Sequence, residues 1–442
     1  MSIQRRELYQ LGDTKDGEEV AIRATVRTAR SQSAKLAFLL LEHDRATIQA
    51  VIAASDTISR QFVKFAASLS GQSLVDVVGI VREPKEEIKS ASVSNRELHV
   101  TELWVVEKAI PQLPIQPEDS EFAIPREETG DEQHSASGQP LVKLSTRLDN
   151  RVLDMRASLN QDIFDIRDGV RFLFEEFLRK HSFKTIDTPK LLGAPSEGGS
   201  NVFEVKYFAR KGYLAQSPQL YKQMAIVGGR KRVYEVGPVF RAENSNTTRH
   251  LTEYTSMDLE MEFYDDYLDV MYLIRDLMLH ILHGLQTQFK EQTKRVGKIY
   301  PTEPFLIPAK PEDVPVLDFV DGVKLLAEAG VELNENDDIN SAQEKQLGEI
   351  VKKKYNTDFY ILKEYPLDVR AFYTMPSSKP GRSHSYDFML RGQEVLSGAQ
   401  RIHNHAILRS EMKRRGLDPD GPGLKEVRIL TLRLKTLSNS SF

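Results

Sequence analysis

The sequence contains no cysteine among its 442 residues. This absence excludes disulfide bonds and metal sites built on thiolate ligands. Residues 1–17, MSIQRRELYQLGDTKDG, also lack the apolar core of a secretory signal. Both absences are typical of a cytosolic protein, and we therefore predict a cytoplasmic location.

Long apolar runs are lacking as well. Apolar residues make up 40% and charged residues 28% of the chain, as in soluble globular proteins. The strongest candidate for a membrane span, Tyr267 to Leu285, has a spacing that favours an amphipathic core helix, so we predict no membrane association. Four polar residues interrupt this run: Asp269, Arg275, Asp276 and His280.

An excess of positive charge is also absent, because the formal net charge is −4. Bulk charge therefore gives no reason to expect DNA as a partner. Any nucleic-acid binding must depend on a local surface.

The pattern of short strands predicts a small barrel at the N-terminus. Between Glu19 and about Ala109, five strand-like runs are separated by turn-forming residues, and the first alternates Val20, Ile22, Ala24 and Val26. Five strands in about 90 residues favour a closed barrel. A stretch rich in proline, acidic residues, serine and glycine follows and is typical of a linker. We predict a barrel domain at 1–109 and a linker at 110–146.

The remaining residues, 147–442, predict a second domain that begins with a long amphipathic helix. Strand-like runs follow without a regular strand–helix alternation, which favours an antiparallel sheet flanked by helices over a parallel one. Residues about 291–358 look mostly helical and are predicted to form an insertion. The fold class is therefore α+β. The apolar residues of the first helix recur at helical spacing: Ile163, Ile166, Val170, Leu173, Phe174, Phe177 and Leu178.

Residues 233–261, VYEVGPVFRAENSNTTRHLTEYTSMDLEM, predict a hairpin with Arg241 on one strand and Arg249 and His250 near the end of the loop. A guanidinium group forms bidentate contacts with phosphate oxygens, so this hairpin could hold a polyphosphate. The alternative is a solvated hairpin with surface ion pairs, which a bare Arg-x-Glu would favour. The whole segment is far more specific than that dipeptide pattern.

Two further segments carry polar residues in suggestive positions. PSEGGSNVFEV, residues 195–205, contains a glycine pair that predicts a mobile loop. Lys222 follows one turn after Gln219 at a predicted helix start, although a lone lysine is usually a surface residue. In QEVLSGAQRIHN, residues 393–404, strand alternation places Glu394 and Ser397 on opposite faces, and alternation alone does not tell which face is active.

Residues 233–261 resemble motif 2 of class II aminoacyl-tRNA synthetases, and GPVFRAE followed by RHLTE resembles the aspartyl-tRNA synthetases of eukaryotes and archaea. The resemblance extends from Arg23 to Glu426. It implies a catalytic Arg241 that holds the α-phosphate of ATP, and an acceptor-end tRNA contact through Ser245 and Thr247. The implied ATP-binding residues are Arg241, Ala242, Glu243, Arg249, His250, Leu251, Tyr254 and Glu394.

The same resemblance implies an aspartate pocket and a magnesium site. Arg401 and Lys222 would face the substrate carboxylate, and two buried cations would reject asparagine, which cannot neutralise them. Glu394 and Ser397 would help to bind a magnesium ion that contacts the ATP phosphates, since magnesium prefers oxygen ligands. The implied aspartate-binding residues are Glu197, Gln219, Leu220, Tyr221, Lys222, Ser397 and Arg401.

For the N-terminal domain, the resemblance implies an OB-fold that binds the anticodon of tRNA-Asp. Phe38 would stack on a base. Alone, Phe38 would be interpreted as barrel core, and only the set of four matching residues favours RNA: Arg30, Phe38, Gln49 and Glu97. Pro189 matches the proline of motif 1, which implies a homodimer.

The C-terminal part departs from the family. After GLDPDGPGLKE, at residues 416–426, the glycine-rich motif 3 is absent and VRILTLRLKTLSNSSF follows. We expect the loss of a strand and its helix to leave an unpaired sheet edge, and we interpret this segment as a mispredicted or mis-spliced end. The leading prediction is an aspartate–tRNA ligase that uses ATP and Mg²⁺, with activity of this exact chain open. A catalytically impaired, tRNA-binding or regulatory paralogue and an asparaginyl enzyme are the alternatives.

Overall fold

The computed structural model of the chain describes residues 5–124, 141–195, 202–243 and 251–420, together with the backbone of 436–439. The chain divides into two units, Met1–Gln161 and Asp162–Phe442. The boundaries 1–109, 110–146 and 147–442 stay a prediction.

The first unit contains the predicted barrel, which is closed in the strand order β1-β2-β3-β5-β4. Val20, Ile22, Ala24 and Val26 all point inward and are at most 1% exposed, as their alternation predicts. The barrel strands are β1 (Glu19–Ser33), β2 (Leu36–His43), β3 (Ala46–Ala53), β4 (Leu74–Arg82) and β5 (Glu97–Glu107), and the helices are α1 (Arg60–Ala67), α2 (Leu144–Asp149) and α3 (Arg151–Asp154).

The second unit is built on an eight-stranded sheet in the order β12-β13-β14-β15-β16-β11-β10-β6, and β7, β9 and β8 form a small separate sheet. Its strands are β6 (Lys184–Thr185), β7 (Leu191–Leu192), β8 (Glu204–Tyr207), β9 (Arg210–Leu214), β10 (Arg232–Phe240), β11 (Glu253–Glu262), β12 (Val316–Asp318), β13 (Phe359–Lys363), β14 (Ser385–Leu390), β15 (Gln393–Gln400) and β16 (Thr436–Asn439). Its helices are α4 (Ser158–Lys180), which begins in the first unit, α5 (Gln219–Val227), α6 (Leu268–Thr287), α7 (Lys290–Ile299), α8 (Phe319–Glu328), α9 (Ser341–Tyr355) and α10 (His405–Arg414).

Helices α4 and α6 cover one face of this sheet. Leu173 and Phe174 of α4, Ile274 of α6, and Leu259 and Phe388 of the sheet belong to one apolar core. Burial of such side chains stabilises a fold by about 1.5–3 kcal/mol each. The central pairings are antiparallel, whereas the edge strands β6 and β12 pair in parallel. The predicted α+β class with an antiparallel core is therefore confirmed.

The expected unpaired edge is not present, and this expectation was wrong. Residues 436–439 form β16, which lies between β11 and β15 and pairs antiparallel with both. Residues 436–439 thus satisfy backbone groups of both neighbouring strands. Strand pairing depends on backbone hydrogen bonds, which many sequences can supply.

Helix α9 packs closely against the turn between β14 and β15. A Cβ atom built on Gly348 of α9 would lie 2.5 Å from the nitrogen and Cα atoms of Gly392, and Gly392 has a φ of +65°. Glycine is required at both positions, because neither backbone can move without displacing the other.

Within the described residues, no helix is long and apolar enough to cross a membrane.

Candidate active site

A cavity of about 1020 Å³ lies on the sheet of the second unit, between the β10–β11 and β14–β15 hairpins. Arg241 follows β10, and its backbone N–H donates to the carbonyl of Thr252 at 3.0 Å, which continues the hairpin. Its guanidinium lies 5.6 Å from the ring centre of Tyr254. Glu243 and Leu251 also line this cavity. Four of the residues predicted to bind ATP therefore lie together.

Strand β15 contributes Glu394 and Ser397 to the same cavity, although simple alternation places them on opposite faces. The reason is a β-bulge: Phe388 pairs with Leu396 and Met389 pairs with Glu394, so that Val395 has no partner. A bulge adds one residue and reverses the alternation beyond it. The alternation prediction was wrong here.

Asp387 of β14 lies opposite Ser397 and also lines the large cavity. Its Oδ2 accepts a hydrogen bond from Nη2 of Arg370 at 2.6 Å. Its Oδ1 is buried and has no hydrogen-bond partner among the described residues. Asp387 was not among the predicted site residues, although a single carboxylate in the apolar strand SYDFML was a usable signal.

A smaller cavity of about 220 Å³ adjoins the large one and is lined by Gln219, Asp258 and Arg401. Of the described residues, three line both cavities: Arg241, Arg370 and Ser397. These three side chains therefore mark the junction of the two cavities.

Helix α5 begins at Gln219, so that Gln219 and Lys222 lie one turn apart on its buried face. Nη2 of Arg401 donates to Oε1 of Gln219 at 2.8 Å. Nε2 of Gln219 in turn donates to Oε2 of Glu260 at 3.1 Å. Glu260 therefore orients the Gln219 amide so that its carbonyl oxygen faces Arg401.

Lys222 is fully buried and lines neither cavity. Its Nζ lies 3.1 Å from Oδ1 of Asp258 and 4.0 Å from Oε2 of Glu260. The sequence analysis missed both carboxylates, which occupy alternate positions of β11. Leu220 and Tyr221 also line neither cavity, and Leu220 packs against a separate apolar cluster.

Arg370 is held between an aromatic ring and a carboxylate. Its guanidinium carbon lies 3.8 Å from the ring centre of Tyr365, and its Nη2 lies 2.6 Å from Oδ2 of Asp387. Burial lowers the pKa of Arg370, but the charge of Asp387 and the contact with Tyr365 outweigh burial, and its pKa is raised. Arg370 was also missed by the sequence analysis.

Five predicted site residues lie outside the described residues: Glu197, Ser245, Thr247, Arg249 and His250. Ala242 is half-buried beside Arg241 and does not line either cavity.

On the barrel, the four predicted RNA-binding residues form two neighbouring pairs, Arg30 with Phe38 and Gln49 with Glu97. Arg30 pairs with Phe38 across β1 and β2, and its guanidinium lies 5.1 Å from the ring centre. Nε2 of Gln49 donates to Oε2 of Glu97 at 3.2 Å. Phe38 is half-buried and does not belong to the barrel core. The core interpretation of Phe38 was therefore wrong.

The two adjoining cavities are lined by both guanidinium groups and carboxylates. Among the described residues no group of three or more His, Cys, Asp or Glu side chains could hold a metal ion. Asp387 and Glu394 nevertheless fit a magnesium ion, which needs only one or two carboxylates when phosphates supply further oxygens. The site can therefore bind a polyphosphate beside a small charged ligand.

Comparisons with known proteins agree with this geometry. Residues 143–427 match the family of class II tRNA synthetases (D, K and N). The chain is 46% identical over 405 residues to the cytoplasmic aspartate–tRNA ligase of Homo sapiens, covering 91% of this chain and 79% of that relative. An aspartyl-tRNA synthetase structure from Entamoeba histolytica has a TM-score of 0.86 and 36% identity, with 100% of this chain and 87% of that chain covered. An asparaginyl-tRNA synthetase structure from Pyrococcus horikoshii, complexed with asparaginyl-adenylate, has a TM-score of 0.76 and 25% identity, with 97% and 90% covered.

Proposed function

Because the chain belongs to the aspartate–tRNA ligases, within the class II tRNA synthetases, we propose that its two adjoining cavities hold ATP and aspartate and join them at Arg241. The main support for this proposal is that Arg241 lines both cavities. One guanidinium can therefore reach a phosphate in the large cavity and a carboxylate in the small one.

The large cavity is the proposed ATP site. Arg241 would bind the α-phosphate through paired N–H donors, and Tyr254 offers an aromatic face for adenine. Glu243 and Leu251 border the same space. Arg249 and His250 complete the predicted set.

Glu394, Ser397 and Asp387 are the residues that would hold magnesium. The buried, unpartnered Oδ1 of Asp387 supports this assignment, because a buried carboxylate oxygen needs a partner. A bound magnesium ion would offset the negative charge of the phosphates.

The small cavity is the proposed aspartate site. Arg401 and the Gln219 amide would bind the side-chain carboxylate, and Asp258 would accept hydrogen bonds from the substrate ammonium group. Lys222 does not line the small cavity, but its ion pair with Asp258 orients the Asp258 carboxylate. Asparagine would leave the Arg401 charge without a counter-charge, which disfavours it.

The reaction proceeds in two displacements. An α-carboxylate oxygen of aspartate attacks the α-phosphorus of ATP, the bond to the bridging oxygen breaks, and pyrophosphate leaves. The terminal ribose hydroxyl of the tRNA then attacks the acyl carbon, loses its proton, and releases AMP. Positioning and charge stabilisation by Arg241 supply the catalysis, because no protein nucleophile is required.

The barrel is the proposed anticodon-binding domain, the OB-fold of the predicted domain set, and tRNA-Asp is its proposed partner. The contact between the exposed Arg30 and the half-buried ring of Phe38 supports base stacking there. Ser245 and Thr247 are the proposed acceptor-end contacts, with Glu197 on a loop beside aspartate.

A homodimer through motif 1 is also part of the proposal. Pro189 is exposed, and so is Phe172 on the outer face of α4, which leaves apolar surface for a second copy. The cytoplasm is the proposed location, because the human relative is a cytoplasmic aspartate–tRNA ligase.

Aspartate-dependent exchange between ATP and pyrophosphate tests the function. The full chain should catalyse exchange with aspartate and at least a hundredfold less with asparagine, the order of discrimination expected of a site that matches a polar group. Arg241→Lys should abolish exchange, whereas Arg230→Lys, in the exposed turn before β10, should not. Equal exchange with both amino acids would contradict the proposed aspartate site.

A further inference from the structure

We infer that Arg370 is a second catalytic arginine, whose Nε–H binds the oxygen atoms where the aspartate carboxylate meets the α-phosphate. This inference rests on the proposed function. The resemblance to motif 2 implies a catalytic role only for Arg241, and Arg370 lies in a different segment, on the loop between β13 and β14.

The first observation is position. Arg370 lines both the large and the small cavity, a property it shares with only Arg241 and Ser397 among the described residues. A group at this junction can touch the atoms that react, whereas a group inside one cavity touches one substrate.

The second observation is an unused donor. Nε of Arg370 is buried and has no hydrogen-bond partner among the described residues. Leaving a buried charged donor without a partner is strongly unfavourable, so such donors normally have a ligand or a partner. An oxygen atom of the bound substrate or adenylate would supply the missing acceptor.

The third observation is rigidity. Nη2 is held by Asp387 at 2.6 Å, and the guanidinium plane stacks on Tyr365 at 3.8 Å from its ring centre. Tyr365 is itself only 3% exposed. A donor held on two sides needs little reorganisation when charge develops in the transition state, which is the condition for electrostatic catalysis.

The chemistry suits two arginines rather than one. During adenylate formation, negative charge accumulates on the non-bridging oxygens of the α-phosphorus while the new acyl–phosphate bond forms. Arg241, which follows β10, and Arg370, on the β13–β14 loop, both border this point. The two cations would also reduce the repulsion between the incoming carboxylate and the phosphate.

Arg370→Lys tests the inference, because lysine keeps the charge and loses the planar set of donors. Arg391→Lys is the matched control. Arg391 also stacks on an aromatic ring, at 4.1 Å from the centre of Phe305, and its Nε lies 3.3 Å from a buried carboxylate oxygen of Asp358, but it lines neither cavity.

The probe is a non-hydrolysable sulfamoyl analogue of aspartyl-adenylate, with binding measured by calorimetry beside ATP alone and aspartate alone. Arg370→Lys should weaken binding of the analogue about 10- to 100-fold, the range expected for a lost charge-assisted hydrogen bond. Binding of ATP alone or aspartate alone should change less than about threefold. The kcat of exchange should fall, while the KM values for ATP and aspartate should remain unchanged. Arg391→Lys should leave all of these values within about threefold.

Equal behaviour of the Arg370 and Arg391 variants, or a uniform loss for all three ligands, would overturn the inference and leave Arg370 as a structural ion-pair residue. If Arg370→Lys does not fold, Arg370→Gln beside Arg391→Gln replaces it, because both substitutions remove one charge from an arginine that is paired with a buried carboxylate. Failure of the unmodified chain to bind the analogue would instead overturn the proposed function.

Discussion

Replacing Gly348 with alanine should destabilise the second unit and disturb the proposed ATP site together. In an ordinary helix this change adds about 1 kcal/mol of stability. Here the new methyl group would lie 2.5 Å from two backbone atoms of Gly392. Overpacking usually costs about 1–3 kcal/mol, and backbone atoms on both sides leave no side chain to move aside.

We expect the upper end of that range, about 3 kcal/mol, which less the helix gain of about 1 kcal/mol leaves a net loss of about 2 kcal/mol for Gly348→Ala. This corresponds to a fall of roughly 4–8 °C in the melting temperature of a unit of this size. The control is Gly297→Ala in α7, where an added Cβ meets nothing within 4 Å. That variant should gain about 0.5–1 kcal/mol. Both changes are glycine to alanine within a helix, so the difference isolates the contact with Gly392.

Differential scanning calorimetry would measure both variants. The only tryptophan of the chain, Trp104, lies on β5 of the barrel, so its fluorescence follows the first unit separately. The Gly392 turn joins the strands that carry Asp387 and Glu394, so Gly348→Ala should also raise the magnesium concentration needed for ATP binding. Equal melting temperatures for the two variants would refute the steric argument.

Three further predictions concern other parts of the molecule. Phe38→Leu should weaken tRNA binding by about 1–3 kcal/mol without changing exchange, whereas Phe65→Leu on α1 should change neither tRNA binding nor exchange. A filter-binding assay that finds equal tRNA binding for both variants would contradict the stacking role. Asp258→Asn should lower stability by about 1.5–3 kcal/mol, because Lys222 loses its hydrogen bond to the nearer of its two buried carboxylates. Adding Lys222→Met should restore stability in urea denaturation but not aspartate binding. Burial raises the pKa of Asp318, but the hydrogen bonds from two lysines outweigh burial, and its pKa is lowered. The ionised Asp318 therefore stabilises the folded state above the ordinary carboxyl pKa of 3.8, and this stabilisation is lost as the pH falls through the lower pKa of the folded state. Asp318→Asn should therefore be less stable than the parent at neutral pH, and acid titration should bring the two together below about pH 3.8.

Much of the site could be predicted from the sequence, because motif residues occur in short segments. Arg241, Glu243 and Tyr254 lie within one hairpin, and the chain itself keeps them close. Gln219 and Lys222 similarly share one turn of a helix. Local spacing is sufficient to bring such residues together.

The missed parts depend on contacts between distant segments or on a break in regular structure. Arg370 meets Asp387 only because the β13–β14 loop folds back onto its own hairpin. The bulge at Val395 has no composition signal, since valine is an ordinary strand residue. Lys222 looked like a substrate contact, because its partner Asp258 lies 36 residues later in the chain.

The position of β16 has a consequence for the order in which the molecule is made. This strand follows the other strands in sequence, yet it lies in the interior of the eight-stranded sheet, between β15 and β11. During synthesis, the β10–β11 and β14–β15 hairpins must wait as separate halves, each with an open edge that invites pairing with a nascent neighbour. Completion of this sheet therefore has to wait until residues 436–439 have been made, long after the strands β10 and β11.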